Sequence, residues 1–183
     1  MNIFVLDKKP TTAAQMMCDK HVVKMIVESA QMLSTAHRVL DGTEWTDYSK
    51  NGRRIKRWKS PYTLMEDMLY KASFVGHPCT KWVMENDKNY YWLAEHAYEL
   101  CREYTRRYGK VHKTDDMISL IRFRKPTNIS IADSITPFAQ AMPDEYKNLD
   151  AVEAYRAYYL GEKTGFAVWN YSDTPSWYEE ALV

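Results

Sequence analysis

Cysteine is scarce in this chain: three residues in 183, an odd number with no paired spacing. That excludes a disulfide-stapled scaffold and points to a reducing compartment, so cytoplasmic placement is expected. No apolar run approaches the roughly 20 residues needed to span a bilayer, and no membrane partner is expected. The opening residues Met1 to Asp7 lack the charged region and long apolar core of a signal peptide. Charge excess is missing as well: 25 Lys and Arg stand against 24 Asp and Glu. A protein that coats nucleic acid indiscriminately is usually far more basic, so any such surface here is a local patch. Neither CxxC nor HExxH occurs, and no acidic cluster suits a pair of magnesium ions. Although Cys18, His21, His77, Cys79, His96, Cys101 and His112 are possible ligands, their spacings are not those of zinc sites. No metal or other cofactor is expected. GxGxxG, GxxxxGK[ST] and GxSxG are absent too, which removes support for a phosphate-binding loop or a serine-hydrolase elbow. Finally, the period-two alternation and regular hairpin signals of a sheet protein are not seen.

What remains reads as helix. At 45% hydrophobic, the length fits one domain spanning residues 1–183 with a substantial core. Thr12 and Gln15 form a capping box, and apolar residues from Met17 to Val39 recur at three- and four-residue spacing, predicting one helix to about Leu40. Gly42 ends it. Residues 43–61 look polar and irregular. A second helix follows Ser60-Pro61. Pro78 suits the first turn of a third helical region, which runs from about Cys79 to Tyr108 with an interruption near Asn86-Asp87, and Gly109 closes it. A short helix is expected around Met117 to Ile121, and a loop with one turn near Pro137 to Gln140 over 126–143. Asp150 with Glu153 caps another helix. The expected fold is all-α: a compact single-domain helical bundle with long loops, monomeric in solution.

Two segments carry chemistry. His21 and Glu28 are seven residues apart, nearly two helical turns, so they project from one face with Lys24 between them. An acid/base pair beside a cation is what proton abstraction or Schiff-base chemistry needs. The bland alternative is a solvated Glu28–Lys24 pair and a core histidine, which spacing alone favours. Residues 50–59 hold six cations and no acid. Such a cluster attracts phosphate, and Trp58 within it could stack on a base or wedge into a duplex. Most of the other aromatics (14 Tyr and 6 Trp in all) read as packing between helices.

The order of these motifs carries a resemblance. Asp19-Lys20-His21, Glu28, the run Asn51-Gly52-Arg53-Arg54-Ile55-Lys56-Arg57-Trp58-Lys59-Ser60-Pro61, then Gly76-His77, a long helix and Pro175-Ser176-Trp177-Tyr178 together resemble the phage pyrimidine-dimer DNA glycosylase family. Its type member is the T-even phage repair endonuclease. The resemblance implies a compact helical fold and a combined glycosylase and abasic-site lyase acting on double-stranded DNA with a damaged or modified base. It implies that an amino-terminal α-amine attacks the sugar C1′, displaces the base and forms an imine, while a helix glutamate supports the proton transfers. Glu28 matches that glutamate and His21 the active-site histidine. Arg53, Arg54, Lys56, Arg57 and Lys59 match a DNA-facing basic segment, with Lys20, Trp58 and His77 as further contacts. An α-amine ordinarily titrates near pH 8, so a neutral nucleophilic fraction exists without a buried lysine. The family exposes a small residue after methionine removal, whereas residue 2 here is asparagine, so Met1 or a processed Asn2 supplies the amine. Val27 and Gln31 stand where the family carries DNA-binding arginines. Two other readings keep the pocket and change its use: a phage-type enzyme that modifies a base or nucleotide, and a non-catalytic nucleic-acid or nucleotide-binding protein.

Overall fold

The structure, a computed structural model, describes residues 1–181. Its first residues run extended through the interior: Ile3, Val5 and Leu6 are buried before the first helix begins. Helices α1 (Pro10–Gln15) and α2 (Asp19–Asp41) follow. The single helix expected to reach Leu40 is therefore two, and Thr12 lies inside α1, whose cap is Lys9. Tertiary partners explain the break. The Arg107 guanidinium donates to Met17 O at 2.8 Å and Gln15 O at 2.9 Å, and Asp19 N–H donates to Val168 O at 2.9 Å. These contacts satisfy backbone groups that a continuous helix would have paired internally, and hydrophobic periodicity carries no trace of them.

A second difference lies at residues 43–61, which form an antiparallel hairpin of β1 (Thr43–Tyr48) and β2 (Arg54–Lys59), with Trp45 opposite Arg57 and Tyr48 opposite Arg54. Its turn uses Gly52 at φ +73°, a conformation glycine adopts without steric cost. Because both faces are polar and largely exposed, no apolar alternation betrays the strands. The fold is thus mostly helical, not all-α.

The remaining helices are α3 (Thr63–Met68), α4 (Pro78–Glu85), α5 (Asp87–Tyr108), α6 (Asp115–Ile121), α7 (Ala151–Glu162) and α8 (Ser176–Glu180), with a 3₁₀ turn at Asp144–Tyr146. Several boundaries fall where local chemistry places them. Pro78 opens α4 behind a His77 cap, Asn86 caps α5 through Asn89 N–H, and Gly109 ends α5 at φ +64°. Asp150 accepts from Val152 N–H at the start of α7. The stretch 126–143 contains no helix or strand, and the turn expected near Pro137 to Gln140 is absent. Helix α2 packs against α5 and α4, and the buried residues form one cluster that includes Tyr155, Tyr159 and Trp169 from the chain's last third.

Candidate active site

Residues 21, 24, 28, 31, 35 and 38 lie at alternating three- and four-residue steps and so share one stripe of α2. At its amino-terminal end the stripe meets the extended chain start. Glu28 Oε2 accepts a hydrogen bond from Asn2 N–H at 2.8 Å and lies 3.8 Å from the Met1 α-amine. Lys24 Nζ is 3.4 Å from the other carboxylate oxygen. Asn2 is fixed by its own side chain, which donates to Ala141 O at 2.8 Å and accepts from Ile3 N–H at 2.8 Å. The Met1 side chain is 3% exposed and its sulfur accepts from the Thr80 hydroxyl, whereas the residue as a whole is half-buried, so its exposed part is main chain. Phe4 follows at φ +42°, a left-handed conformation uncommon for a non-glycine, and its ring packs 4.5 Å from the imidazole of His21.

These groups open on a cavity of about 330 Å³ lined by Met1, Asn2, Lys20, His21, Lys24 and Glu28 together with Tyr158, Lys163 and Phe166. Lys163 Nζ donates to the Tyr158 hydroxyl at 3.1 Å, and Lys20 Nζ lies 4.6 Å over the Phe166 ring. Three lysines and an α-amine thus stand beside one carboxylate, which gives the pocket an excess of positive charge. His21 is buried and its Nδ1 is hydrogen-bonded to the Tyr159 hydroxyl. Burial, reinforced by the charges of Lys24, Lys163 and Lys20, pushes its titration down to about 3, so the ring is neutral at physiological pH. His77 is half-buried near the same amine; burial and then the terminal positive charge lower its titration, with Glu28 opposing.

A sequence model of the family described as pyrimidine dimer DNA glycosylase matches residues 1–117. The chain belongs to that family. No curated protein and no solved structure matches it. The matched glycosylase segment contains Met1, Asn2, Lys20, His21, Lys24, Glu28, the hairpin and His77, whereas Tyr158, Lys163 and Phe166 lie beyond it. The pocket therefore combines the glycosylase-family residues with a wall contributed by the last third of this chain.

The hairpin cations divide into two groups. Lys56 pairs with Glu44 at 2.9 Å and Arg57 with Asp47 at 3.5 Å, both acids on β1. Among the described residues Arg53, Arg54 and Lys59 have no carboxylate partner, and all three are exposed. Trp58 is half-buried, while Trp45 and Tyr48 are 49% and 62% exposed, so the hairpin offers aromatics that sequence reading passed over. Arg38 joins this unit to the α2 stripe. It is 3% exposed and donates to Trp58 O at 3.0 Å, Tyr70 O at 2.6 Å, Leu69 O at 2.9 Å and the Glu66 carboxylate at 2.7 Å. Burial opposes ionisation of Glu66, but hydrogen bonds from Ser60 N–H and Arg38 override it and hold the carboxyl below its ordinary value. From Glu28 to Arg38 is ten residues, about 15 Å along the helix. The pocket and the root of the basic hairpin thus lie on one stripe of one helix.

Proposed function

We propose that this protein is a DNA glycosylase and abasic-site lyase that acts at pyrimidine dimers in double-stranded DNA, using the Met1 α-amine as nucleophile and Glu28 as the proton-handling carboxylate. The observation that carries this reading is the convergence of Met1 N and Asn2 N on one Glu28 oxygen, at 3.8 and 2.8 Å, inside a lysine-rich cavity. Burial of the Met1 side chain favours a retained methionine, since removing it would empty a packed site.

In this scheme the neutral amine attacks C1′ of the damaged nucleotide. The glycosidic C1′–N bond breaks, its electron pair leaves with the base, and the base is protonated. Glu28 accepts a proton from the nitrogen as the sugar ring opens, O4′ takes a proton, and a C1′=N imine remains. Removal of a C2′ proton then drives β-elimination, in which the C3′–O bond breaks and the phosphate leaves. Water hydrolyses the resulting imine and restores the amine. Lys20, Lys24 and Lys163 hold the flanking phosphates, and His21, kept neutral, orients groups in the pocket without carrying the proton.

Borohydride reduction in the presence of dimer-containing or abasic duplexes tests the scheme, with mass spectrometry of the amino-terminal peptide. A reduced adduct on Met1 is expected, and Glu28→Gln should lower base excision at least ~100-fold while the protein stays folded. A free amino terminus with no adduct on either substrate rejects the lyase mechanism. Should Glu28→Gln leave biological activity and DNA binding unchanged, a binding protein without catalysis is the correct reading.

A further inference from the structure

Midway along the α2 stripe, between the pocket and the hairpin root, a loop is clamped to the helix. Ser73 N–H donates to the Thr35 hydroxyl at 3.1 Å, and the Ser73 carbonyl lies 3.2 Å from the same oxygen. Tyr70 N–H donates to Ser34 Oγ at 3.2 Å, and His77 N–H donates to Phe74 O at 2.9 Å. Between these fixed points Phe74 adopts φ +50°, and the residue is 65% exposed. A bulky residue in the left-handed region is a strained choice where glycine would fit freely, and exposing a phenyl ring gains nothing in a free protein. Strain and exposure coincide on a backbone held from both sides, so the ring is presented, not left to wander.

Its position gives the ring a use. Thr35 is seven residues from Glu28, about 10 Å along the helix on the same stripe. Three residues past His77, the Thr80 hydroxyl donates to the Met1 sulfur, so the segment that follows the Phe74 turn reaches the chain start. Lys71 and Lys81 flank the segment and are exposed, suiting a phosphate backbone on either side. We infer that Phe74 is the side chain that enters the duplex beside the lesion, filling the space left when a base leaves the stack. This rests on the reading that the pocket acts on duplex DNA. It assigns the wedge to Phe74 in place of Trp58, whose ring is half-buried. Apolar wedges of this kind unstack a base step and stabilise the kinked form that admits a nucleotide to a pocket.

The test uses dimer-containing duplexes with 2-aminopurine opposite the lesion, bound at saturation by full-length protein carrying Glu28→Gln so that the DNA stays intact. Fluorescence should rise severalfold with Phe74 or Phe74→Leu present and stay flat with Phe74→Ala or Phe74→Gly. In the Glu28 background the last two should lose roughly tenfold or more of duplex excision, in line with the cost of unstacking a step. Phe74→Gly should melt no lower than the parent, because it relieves the backbone strain. That combination separates a wedge from a structural residue. Phe74→Ala with a full fluorescence rise, or with duplex excision close to the parent's, overturns the inference. So does a parent that binds at saturation without any rise. If the parent excises no base from any duplex yet the rise still depends on Phe74, the glycosylase reading fails and the wedge stands.

Discussion

Tyr159 shows how one residue can organise a site that lies far from it in sequence. Its hydroxyl is hydrogen-bonded to His21 Nδ1, 138 positions away, and lies 3.4 Å from Cys18 N at the start of α2. All of these groups are buried. Tyr159→Phe keeps the ring and its edge-on contact with Phe4 but leaves a buried imidazole nitrogen and a backbone N–H unpaired. A stability loss of about 1–3 kcal/mol is expected in urea unfolding; a loss below ~0.5 kcal/mol would show that water or another group serves His21 instead. The residue scale also marks how far sequence reading reaches. His21, Lys24 and Glu28 were legible because helical spacing is local information, and the structure brings all three to one cavity. Tyr158, Lys163 and Phe166 were not, since nothing near them in sequence signals the partners they meet. His21 combines both readings: it is buried, as spacing alone favours, yet it lines the cavity, and burial beside three lysines keeps it neutral.

At the scale of elements, the hairpin is the piece that sequence reading described by charge but not by shape. Counting cations across residues 50–59 located a basic segment, yet the acids that neutralise two of them sit on the paired strand and enter only through register. That distinction makes a quantitative prediction for DNA binding. Arg53→Ala and Arg54→Ala should each weaken affinity for any duplex and reduce the slope of log K against log salt by about 1, the signature of one lost phosphate contact. Lys56→Ala should change the slope by much less, because Glu44 already holds that charge at 2.9 Å. Glu44→Gln should then tighten binding by freeing it. Salt titrations of the four variants check this, and indistinguishable slopes for the parent and the two arginine variants would remove the hairpin from the interface. Arg38 sets the limit of such surgery. It ties β2, α3 and the Tyr70 segment to α2 through backbone carbonyls, so its replacement would loosen the whole unit and confound any binding measurement.

At the scale of the whole molecule, three histidines are buried among the described residues, and together they set its response to acid. Burial is the first cause in each case: it pushes His21 down to about 3 and His37 and His96 to about 4, from an ordinary 6.5. For His37 the Asp41 charge works the other way, and for His96 the Pro10 carbonyl does, without reversing the shift. Because the folded pKa values are depressed, the unfolded chain binds these protons first as pH falls. The stabilisation is present in full above about pH 6.5 and is lost progressively as pH drops toward 4 and below. Three such groups give a slope approaching 4 kcal/mol per pH unit, and on the order of 5 kcal/mol is lost between pH 6.5 and 5. A net stability of about 5–15 kcal/mol cannot absorb much more than that, so acid unfolding is expected near pH 4–5. Urea titrations at pH 7, 6 and 5 read the slope directly. His96→Asn can still donate to the Pro10 carbonyl, 3.0 Å from the imidazole Nδ1, while removing one titrating group, so it should cut the slope by about a third. An unchanged slope would mean that His96 takes its proton in the folded state and that the core around Trp92 admits a charge. None of this was visible in composition, where five histidines in a nearly neutral chain look like ordinary titrating groups. It follows from packing: His21 is buried against Phe4 and Tyr159, His96 against Pro10 and Trp92, and His37 against Tyr90, and the first of these contacts also helps to assemble the pocket.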